Sequence, residues 1–189
     1  MNGRKAFKGM APEGYRIRMM EPGEAEALRD IDAAADRLLV EAGHFPDPGL
    51  PDLGRFVAFL LAREVFVAEE KGGAAVGFAA AADLAALTGD PAGGGCYWLS
   101  ALCVDPAHGR RGLGSALLAA VVKRAEWFFH RAVGLSTARD LPFGESFYAG
   151  HRFLRVADDD LTPALLKRYE MEWPTGASPG TRTVMVRWL

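Results

Sequence analysis

Cysteine, excess charge and long apolar runs are all scarce in this chain of 189 residues, and each shortage excludes a class of protein. Cys96 and Cys103 are too few for a disulfide framework, have no metal-ligand spacing and lie in an apolar stretch, which predicts buried free thiols. A formal net charge of -2 gives no general attraction to nucleic acid. No run approaches the roughly 18 apolar residues of a membrane span. We therefore expect a cytoplasmic protein that binds neither nucleic acid nor membrane.

What is present is the composition of a globular protein. Half of the residues are hydrophobic and 24% are charged, and the length fits one domain. The basic start, with no apolar segment after it, predicts a flexible arm over residues 1–14 and a single domain over residues 15–189. His108, His130 and His151 are scattered along the chain, which predicts no metal site.

Apolar periodicity predicts strands and helices in mixed order, with Asp83–Gly95 fitting neither pattern. The predicted strands are Tyr15–Met20, Val65–Glu70, Ala74–Ala81, Cys96–Val104, Val133–Thr137, Phe153–Val156 and Thr181–Leu189. The predicted helices are Glu24 to the stop at Gly43, Asp52–Arg63, about Leu113–His130, Glu145–Gly150 and Leu161–Trp173. Mixed order with a central hairpin favours an α+β fold, in which helices flank a mostly antiparallel central sheet of about six to seven strands.

The most informative stretch is a glycine- and arginine-rich loop, Gly109–Ser115, between a predicted strand and a long helix. Its glycines let the backbone approach a ligand, and the first N–H groups of a helix have no internal acceptor. With the helix dipole and the charges of Arg110 and Arg111, they favour a phosphate. The alternative is a turn that only caps the helix, with both arginines in solvent. The loop lacks the lysine of an NTPase loop and the glycine spacing of a dinucleotide fold.

The segments around this loop resemble a known family. Leu-x-x-Leu-x-Val-Asp-Pro at Leu99–Pro106 is followed by Arg-Arg-Gly-Leu-Gly-Ser-Ala-Leu-Leu at Arg110–Leu118, and later by Phe147-Tyr148 and Phe153. Together these motifs resemble the GCN5-related N-acetyltransferases, the GNAT family. The resemblance implies the GNAT fold and the transfer of an acetyl group from acetyl-CoA to a primary amine of a small molecule or peptide by direct attack.

A shorter motif is similar to one bacterial subgroup of that family. Arg139-Asp140-Leu-Pro-Phe precedes the Phe-Tyr pair, where the subgroup has Arg-Asp-x-Pro and an aromatic residue. The likeness extends over about Trp98–Phe153, and before it only the order of elements matches. The resemblance leaves the acceptor unnamed, because GNAT acceptor sites are built from variable loops, here Gly43–Gly54 and Pro142–Glu145.

The resemblance also implies which residues hold acetyl-CoA. Backbone groups of the fourth strand would pair with the pantetheine arm as an added strand would, and loop amides would hold the pyrophosphate. The residues assigned to the coenzyme are Leu102, Cys103, Val104, Gly109, Arg110, Arg111, Gly112, Leu113, Gly114, Ser115, Gly144 and Phe147.

Two residues are candidates for the chemistry. Tyr148 takes the family's position facing the thioester sulfur, where a tyrosine hydroxyl can protonate a departing thiolate. His44 lies in the loop expected over the acceptor cleft, and histidine suits a general base. The alternatives are a packing tyrosine and a surface histidine. A water relay, or an acid from the first helices, could instead deprotonate the amine. Asp32, Asp36 and Glu41 could attract a cationic amine or simply form a solvated helix face.

Three departures from the family pattern keep a second function open. Gly109 replaces Gln or Arg, Gly144 replaces an Asn, and Arg152 replaces the Gly before Phe153. The strand glutamate frequent in the family is also missing, since Ser100 and Ala101 stand there. A regulatory GNAT-like domain that binds acyl-CoA with little turnover is therefore the alternative to an enzyme, and an unrelated binder of phosphate ligands is the third. We also expect that a homodimer could form through the final strands.

Overall fold

A computed structural model describes residues 10–141, 143–174, 176 and 180–189. Seven strands form one sheet in the order β1-β2-β3-β4-β5-β7-β6. They are β1 (Tyr15–Met19), β2 (Glu64–Glu70), β3 (Ala75–Asp83), β4 (Cys96–Val104), β5 (Ala132–Ala138), β6 (Leu154–Arg155) and β7 (Arg182–Trp188). The pair β4–β5 is parallel, whereas β1–β2, β2–β3, β5–β7 and β6–β7 are antiparallel. This confirms the predicted α+β class with a mostly antiparallel sheet.

Six α-helices accompany these strands in the described residues. They are α1 (Ala25–Glu41), α2 (Leu53–Leu61), α3 (Leu84–Thr88), α4 (Leu113–Trp127), α5 (Glu145–Gly150) and α6 (Pro163–Met171). None of the helices described is both long enough and apolar enough to cross a bilayer. The segment Asp83–Gly95, which fits neither pattern, contains α3. The carboxylate of Asp83 caps the start of this helix by accepting from Ala85 N at 2.8 Å. Gly89, with a φ of +67°, ends it.

Helices α1, α2, α4 and α6 are all shorter than predicted, and for α4 and α6 the structure shows why. Helix α4 ends at Trp127 rather than His130, because Phe129 takes a left-handed φ of +57° and the His130 amide bonds back to the Ala125 carbonyl at 3.1 Å. This pair of features is the usual closing turn of a helix. Helix α6 begins at Pro163 rather than Leu161, because the Thr162 hydroxyl caps it by accepting from Leu165 N.

One compact unit combines residues 10–41, 47–81 and 101–123. Its core forms where the apolar stripes of α1 and α2 pack with β2, β3 and the second half of β4. The buried residues of this core are Leu28, Ile31, Phe56, Leu60, Val65, Val67, Phe78, Ala80 and Cys103.

The other compact unit combines residues 42–46 and 82–100 with the described residues from 124 to 189. Helices α3 and α6 contact each other, and their apolar side chains share a core with β4, β5 and β7. The buried residues of this core are Leu84, Trp98, Ala132, Ala164, Val184 and Val186. Cys96 is half-buried here, and Cys103 is buried in the first unit, both as free thiols. A single domain over residues 15–189 stays a prediction, and residues 1–9 of the predicted arm lie outside the described residues.

Candidate active site

In the second half of β4, some peptide groups face β3 and others face away from it. The amide of Asp105 donates to the Val76 carbonyl of β3 at 2.9 Å. Since successive peptide groups along a strand face opposite ways, those of Leu102 and Val104 face away from β3. Gly77 lets the two strands approach, because a Cβ there would lie 2.9 Å from the Cys103 carbonyl oxygen. The register of β4 with β5 covers Cys96–Leu99, so the peptide groups of Leu102 and Val104 form an edge along which an extended ligand can add as a strand does.

The loop after β4 delivers the chain into the N-terminus of α4. Arg110 and Gly112 both have left-handed φ angles, +57° and +81°. The first hydrogen bond of the helix runs from Ala116 N to the Gly112 carbonyl at 3.0 Å. The amides of Leu113 and Gly114, in the first turn, therefore have no acceptor within the helix. Left-handed turns and a helix N-terminus both direct N–H groups toward an anion, so this loop suits a phosphate.

The two arginines of the loop differ in their contacts. Arg110 is exposed. Arg111 donates from Nη1 to the Tyr15 hydroxyl at 2.8 Å and from Nη2 to the Ala107 carbonyl at 3.2 Å. The same hydroxyl lies 3.0 Å from Nδ1 of His108. The charge of Arg111 is thus held against the start of β1 beside the loop.

Gly144 sets the start of the helix that carries Tyr148. Its carbonyl accepts from the amides of Phe147 and Tyr148 at 3.1 and 3.3 Å. A Cβ at this position would lie 2.3 Å from the Ala138 carbonyl oxygen, a distance that real side chains do not reach. An asparagine here, as in the family pattern, would not fit without moving the chain.

Arg152 closes the same helix. Its φ is +67°, its amide bonds to the Ala149 carbonyl at 3.1 Å, and the Phe153 amide bonds to the Tyr148 carbonyl at 3.1 Å. This is a Schellman motif, in which a glycine usually takes the left-handed position. The ring of Phe153 packs against that of Tyr148 at 5.7 Å between centroids. Tyr148 is therefore only 8% exposed and is fixed from both ends of α5.

Replacing Gly144 with alanine is expected to destabilise the fold, because the new methyl group must displace the Ala138 carbonyl or the start of α5. Such overpacking costs about 1–3 kcal/mol. Urea denaturation checks this, with Gly150→Ala as the control. Gly150 lies at the end of the same helix, where a Cβ would have nothing within 4 Å, so that change should be near neutral. Equal losses in both variants would contradict this role for Gly144.

The remaining sequence candidates lie in loops or on α5. His44 is half-buried, and its Nδ1 atom is buried with no hydrogen-bond partner among the described residues. Phe147 is half-buried and packs on Tyr148 at 5.0 Å between ring centroids. Asp140 has a left-handed φ of +59°, and Pro142 of the subgroup motif lies outside the described residues.

An acid–thiol pair joins α1 to β4. The Cys103 thiol donates to Oδ1 of Asp32 at 3.3 Å. Burial, together with the negative charge of Asp36, raises the pKa of Asp32 to about 6. The hydrogen bond from Cys103 acts in the opposite direction and lowers this pKa. Burial beside Asp32 also raises the pKa of Cys103 well above its ordinary value, so the thiol stays protonated. The pair thus provides a carboxylate whose pKa is close to neutral pH.

A second polar cluster lies on α6 and β4. Arg168 donates to both Glu172 and the Ser100 hydroxyl, the latter at 3.2 Å, and the Trp98 indole donates to Glu172 at 3.0 Å. Both charged side chains are largely buried, with 6% and 13% exposed. Burial raises the pKa of Glu172 despite the neighbouring Arg168. Sequence reasoning does not single out this cluster, although Arg168 and Glu172 have the spacing of an ion pair on a helix.

Comparison with known proteins gives the family. The sequence model of the acetyltransferase (GNAT) family matches residues 26–149, which is well over half of the chain. The chain therefore belongs to the GNAT acetyltransferase family. This confirms the family named from the motifs, while the bacterial Arg-Asp-x-Pro subgroup stays a prediction.

Solved structures share the fold at low sequence identity. The structure of yncA from Salmonella typhimurium with its cofactor acetyl-CoA has a TM-score of 0.65 and 20% identity, covering 93% of this chain and 94% of that one. The PaiA N-acetyltransferase of Thermoplasma acidophilum in complex with coenzyme A gives 0.64 and 15%, covering 93% and 99%. The ribosomal-protein-S18-alanine N-acetyltransferase of Escherichia coli gives 0.62 and 15%, covering 92% and 93%. At these identities the likeness establishes the fold.

Proposed function

We propose that this protein is an acetyl-CoA-dependent N-acetyltransferase that acetylates a primary amine of a small molecule or peptide. The observation that carries the proposal is the junction of β4, its loop and α4. It joins a strand edge at Leu102 and Val104 to a turn with two left-handed residues and the N-terminus of a long helix. This junction lies inside the GNAT match. Two of the solved structures with this fold hold acetyl-CoA or coenzyme A.

The proposed binding mode divides the coenzyme between these features. The pantetheine arm pairs with the peptide groups of Leu102 and Val104, and the pyrophosphate lies against the loop from Gly109 to Ser115. The Gly109 amide itself donates to the Pro106 carbonyl at 3.1 Å, so the donors to the pyrophosphate are the amides that follow it. A helix N-terminus and left-handed turns stabilise such anions without a metal ligand set. The charges of Arg110 and Arg111 add to the attraction. Cys103, Gly144 and Phe147 complete the assigned set, the last two by positioning α5.

In the proposed chemistry, the neutral amine attacks the thioester carbonyl directly. A backbone N–H at Leu102 stabilises the oxyanion, as positioned amides do in acyl transfer. Tyr148 donates its proton to the departing thiolate. A tyrosine hydroxyl has an ordinary pKa near 10, so it is still protonated at neutral pH and holds a proton that it can pass to the sulfur as the C–S bond breaks. His44 stays a candidate for the amine's proton because its Nδ1 atom has no hydrogen-bond partner among the described residues.

The alternative, a regulatory domain that binds acyl-CoA with little turnover, is favoured by the departures at Gly109 and Gly144. Packing against the Ala138 carbonyl explains why position 144 is a glycine, so this departure is weaker support for the alternative. The proposed partners are acetyl-CoA and an amine, with a second copy of the chain along the final strands.

Calorimetric titration with acetyl-CoA tests the coenzyme half of this proposal. We expect binding in the micromolar range, similar binding of desulfo-CoA and much weaker binding of ATP, because the strand edge selects the pantetheine arm. Equal affinity for ATP and acetyl-CoA would indicate a general phosphate site instead. Absence of acetyl-CoA binding would overturn both the enzyme and the regulatory alternative.

Replacing Gly112 with alanine is expected to weaken acetyl-CoA binding roughly tenfold, since a left-handed non-glycine residue costs about 1–2 kcal/mol and the loop relaxes away from its binding shape. The matched control is Gly73→Ala in the β2–β3 turn, where φ is +91° and nothing lies within 4 Å. Both variants should lose similar stability, but only Gly112→Ala should bind more weakly. Equal affinities in the two variants would remove the loop from the site.

A further inference from the structure

An acidic residue interrupts the apolar stripe of α1. Leu28 and Ile31 are buried on this stripe, and Ala35 packs against the same core. Asp32 lies one turn after Leu28, so its carboxylate belongs to the face that packs inward. A charge on such a face costs stability unless it is paired with a cation. The Asp32 carboxylate therefore does not stabilise the fold, and a functional role would account for its position.

The contact of Asp32 is with the strand that the coenzyme is proposed to follow. Its Oδ1 atom accepts from the thiol of Cys103, which lies between Leu102 and Val104 on β4. The groups that act on its ionisation are Asp36, from its own helix, and Cys103, from β4. The other elements of this core contribute apolar side chains, among them Phe56 from α2 and Phe78 from β3. The Asp32 carboxylate thus lies among apolar side chains, beside the strand β4 along which the pantetheine arm is proposed to bind. Its partner there is the neutral thiol of Cys103.

Such a carboxylate is matched to proton transfer at neutral pH. Burial and Asp36 raise the pKa of Asp32 to about 6, so it is ionised at pH 7 and yet a better base than an ordinary aspartate. A general base works best when its pKa lies near the working pH. The Cys103 thiol donates to one oxygen and orients the carboxylate, leaving the other oxygen's lone pairs for the amine.

We propose that Asp32 is the general base that takes the proton from the acceptor amine, an inference that rests on the proposed N-acetyltransferase function. The amine nitrogen forms a bond to the thioester carbonyl carbon, and its proton passes to the Asp32 carboxylate. The tetrahedral intermediate then breaks its C–S bond, and the departing sulfur takes a proton from Tyr148. Asp32 afterwards loses its proton to water, and Tyr148 regains one. The products are the acetamide and free coenzyme A thiol.

The test is a pH–rate profile of the full-length protein between pH 5 and 9, with acetyl-CoA and the fastest substrate from a panel of primary amines. Asp32→Asn keeps an acceptor for the Cys103 thiol but cannot take a proton. We expect its kcat to fall about 100-fold or more, as for loss of a general base, with the affinity for acetyl-CoA unchanged. The acid limb of kcat near pH 6 should disappear. The amine's own titration is common to all variants and cannot produce this difference.

Two further variants keep the test specific. Asp36→Asn removes a charge that raises the pKa of Asp32, so it should move the acid limb to lower pH while retaining turnover. Asp30→Asn, at an exposed position of the same helix, should change neither. Thermal unfolding separates chemistry from folding. A raised carboxyl pKa costs stability progressively as pH rises from about 4 to 6, so Asp32→Asn should melt higher than the wild type at pH 7.5 and equally at pH 3.5.

The outcomes distinguish this inference from the function on which it rests. An Asp32→Asn variant with normal kcat and an intact acid limb overturns the role of Asp32. Loss of that limb in His44→Gln, with Asp32→Asn unaffected, assigns the base to His44 and also overturns it. A wild-type protein that binds acetyl-CoA but acetylates no amine overturns the proposed function and this inference together.

Discussion

Replacing Glu172 with alanine is expected to lower the free energy of unfolding by about 3–5 kcal/mol, the usual cost of removing one partner from a buried ion pair. Arg168 would then keep its charge at 6% side-chain exposure, with the Ser100 hydroxyl as its remaining partner among the described residues. The Trp98 indole would lose its acceptor as well. Urea denaturation at pH 7 measures this loss directly.

The controls for this prediction separate charge from helix propensity. Glu170→Ala changes an exposed residue of the same helix and should stay within about 0.5 kcal/mol of the wild type. Changing Arg168 to methionine and Glu172 to leucine together should recover most of the loss, because well-packed apolar pairs often replace buried ion pairs. A Glu172→Ala variant as stable as Glu170→Ala would show that Arg168 has no need of its partner.

Replacing Tyr148 with phenylalanine is expected to lower kcat by about 100-fold or more, since general acid catalysis contributes factors of that size. The ring is retained, so its packing on Phe147 and Phe153 should persist and the fold should be kept. Acetyl-CoA affinity should not change, because the hydroxyl acts on the departing thiolate rather than on the bound thioester. Steady-state kinetics with saturating acetyl-CoA measure the effect.

Tyr169→Phe is the matched control for that prediction. The Tyr169 hydroxyl donates to the Arg182 carbonyl at 3.2 Å, so the variant also loses one hydroxyl and one hydrogen bond, but on α6. We expect a small loss of stability, about 1 kcal/mol, with near-normal kcat. Normal turnover by Tyr148→Phe, or equal losses of kcat in both variants, would remove Tyr148 from the role of general acid.

Most of the fold follows from local patterns in the sequence. The strand Cys96–Val104 is predicted with its observed bounds because Asp105-Pro106 ends it, and α5 also has its predicted bounds, Glu145–Gly150. The end of α4 is not predictable in this way, because its closing residue is Phe129 and nothing in the sequence marks a phenylalanine for a left-handed φ. Helix α3 stays undecided in the sequence because a five-residue helix shows too little periodicity.

In the candidate site, too, local features can be predicted from the sequence and contacts between distant residues cannot. The turn into α4, where we propose that the coenzyme binds, can be predicted because glycine spacing and a following helix are local features. The pairing of Asp32 with Cys103 depends on residues 71 positions apart, so the sequence shows only an acid on an apolar stripe. The Trp98–Glu172 contact, across 74 positions, has no such signal beyond the spacing of Arg168 and Glu172. The packing role of Gly144 requires the Ala138 carbonyl to be placed against it.

The central claim, acetyl transfer to an amine, is tested most directly by mass spectrometry of the reaction. The purified protein is incubated with acetyl-CoA labelled in the acetyl group and a panel of primary amines, and coenzyme A thiol is titrated in parallel. The account predicts at least one amine that gains the labelled acetyl group, with one thiol released per product and the rates of both lowered about 100-fold or more when Tyr148 is changed to phenylalanine. Bound but unconsumed acetyl-CoA across the whole panel would contradict it.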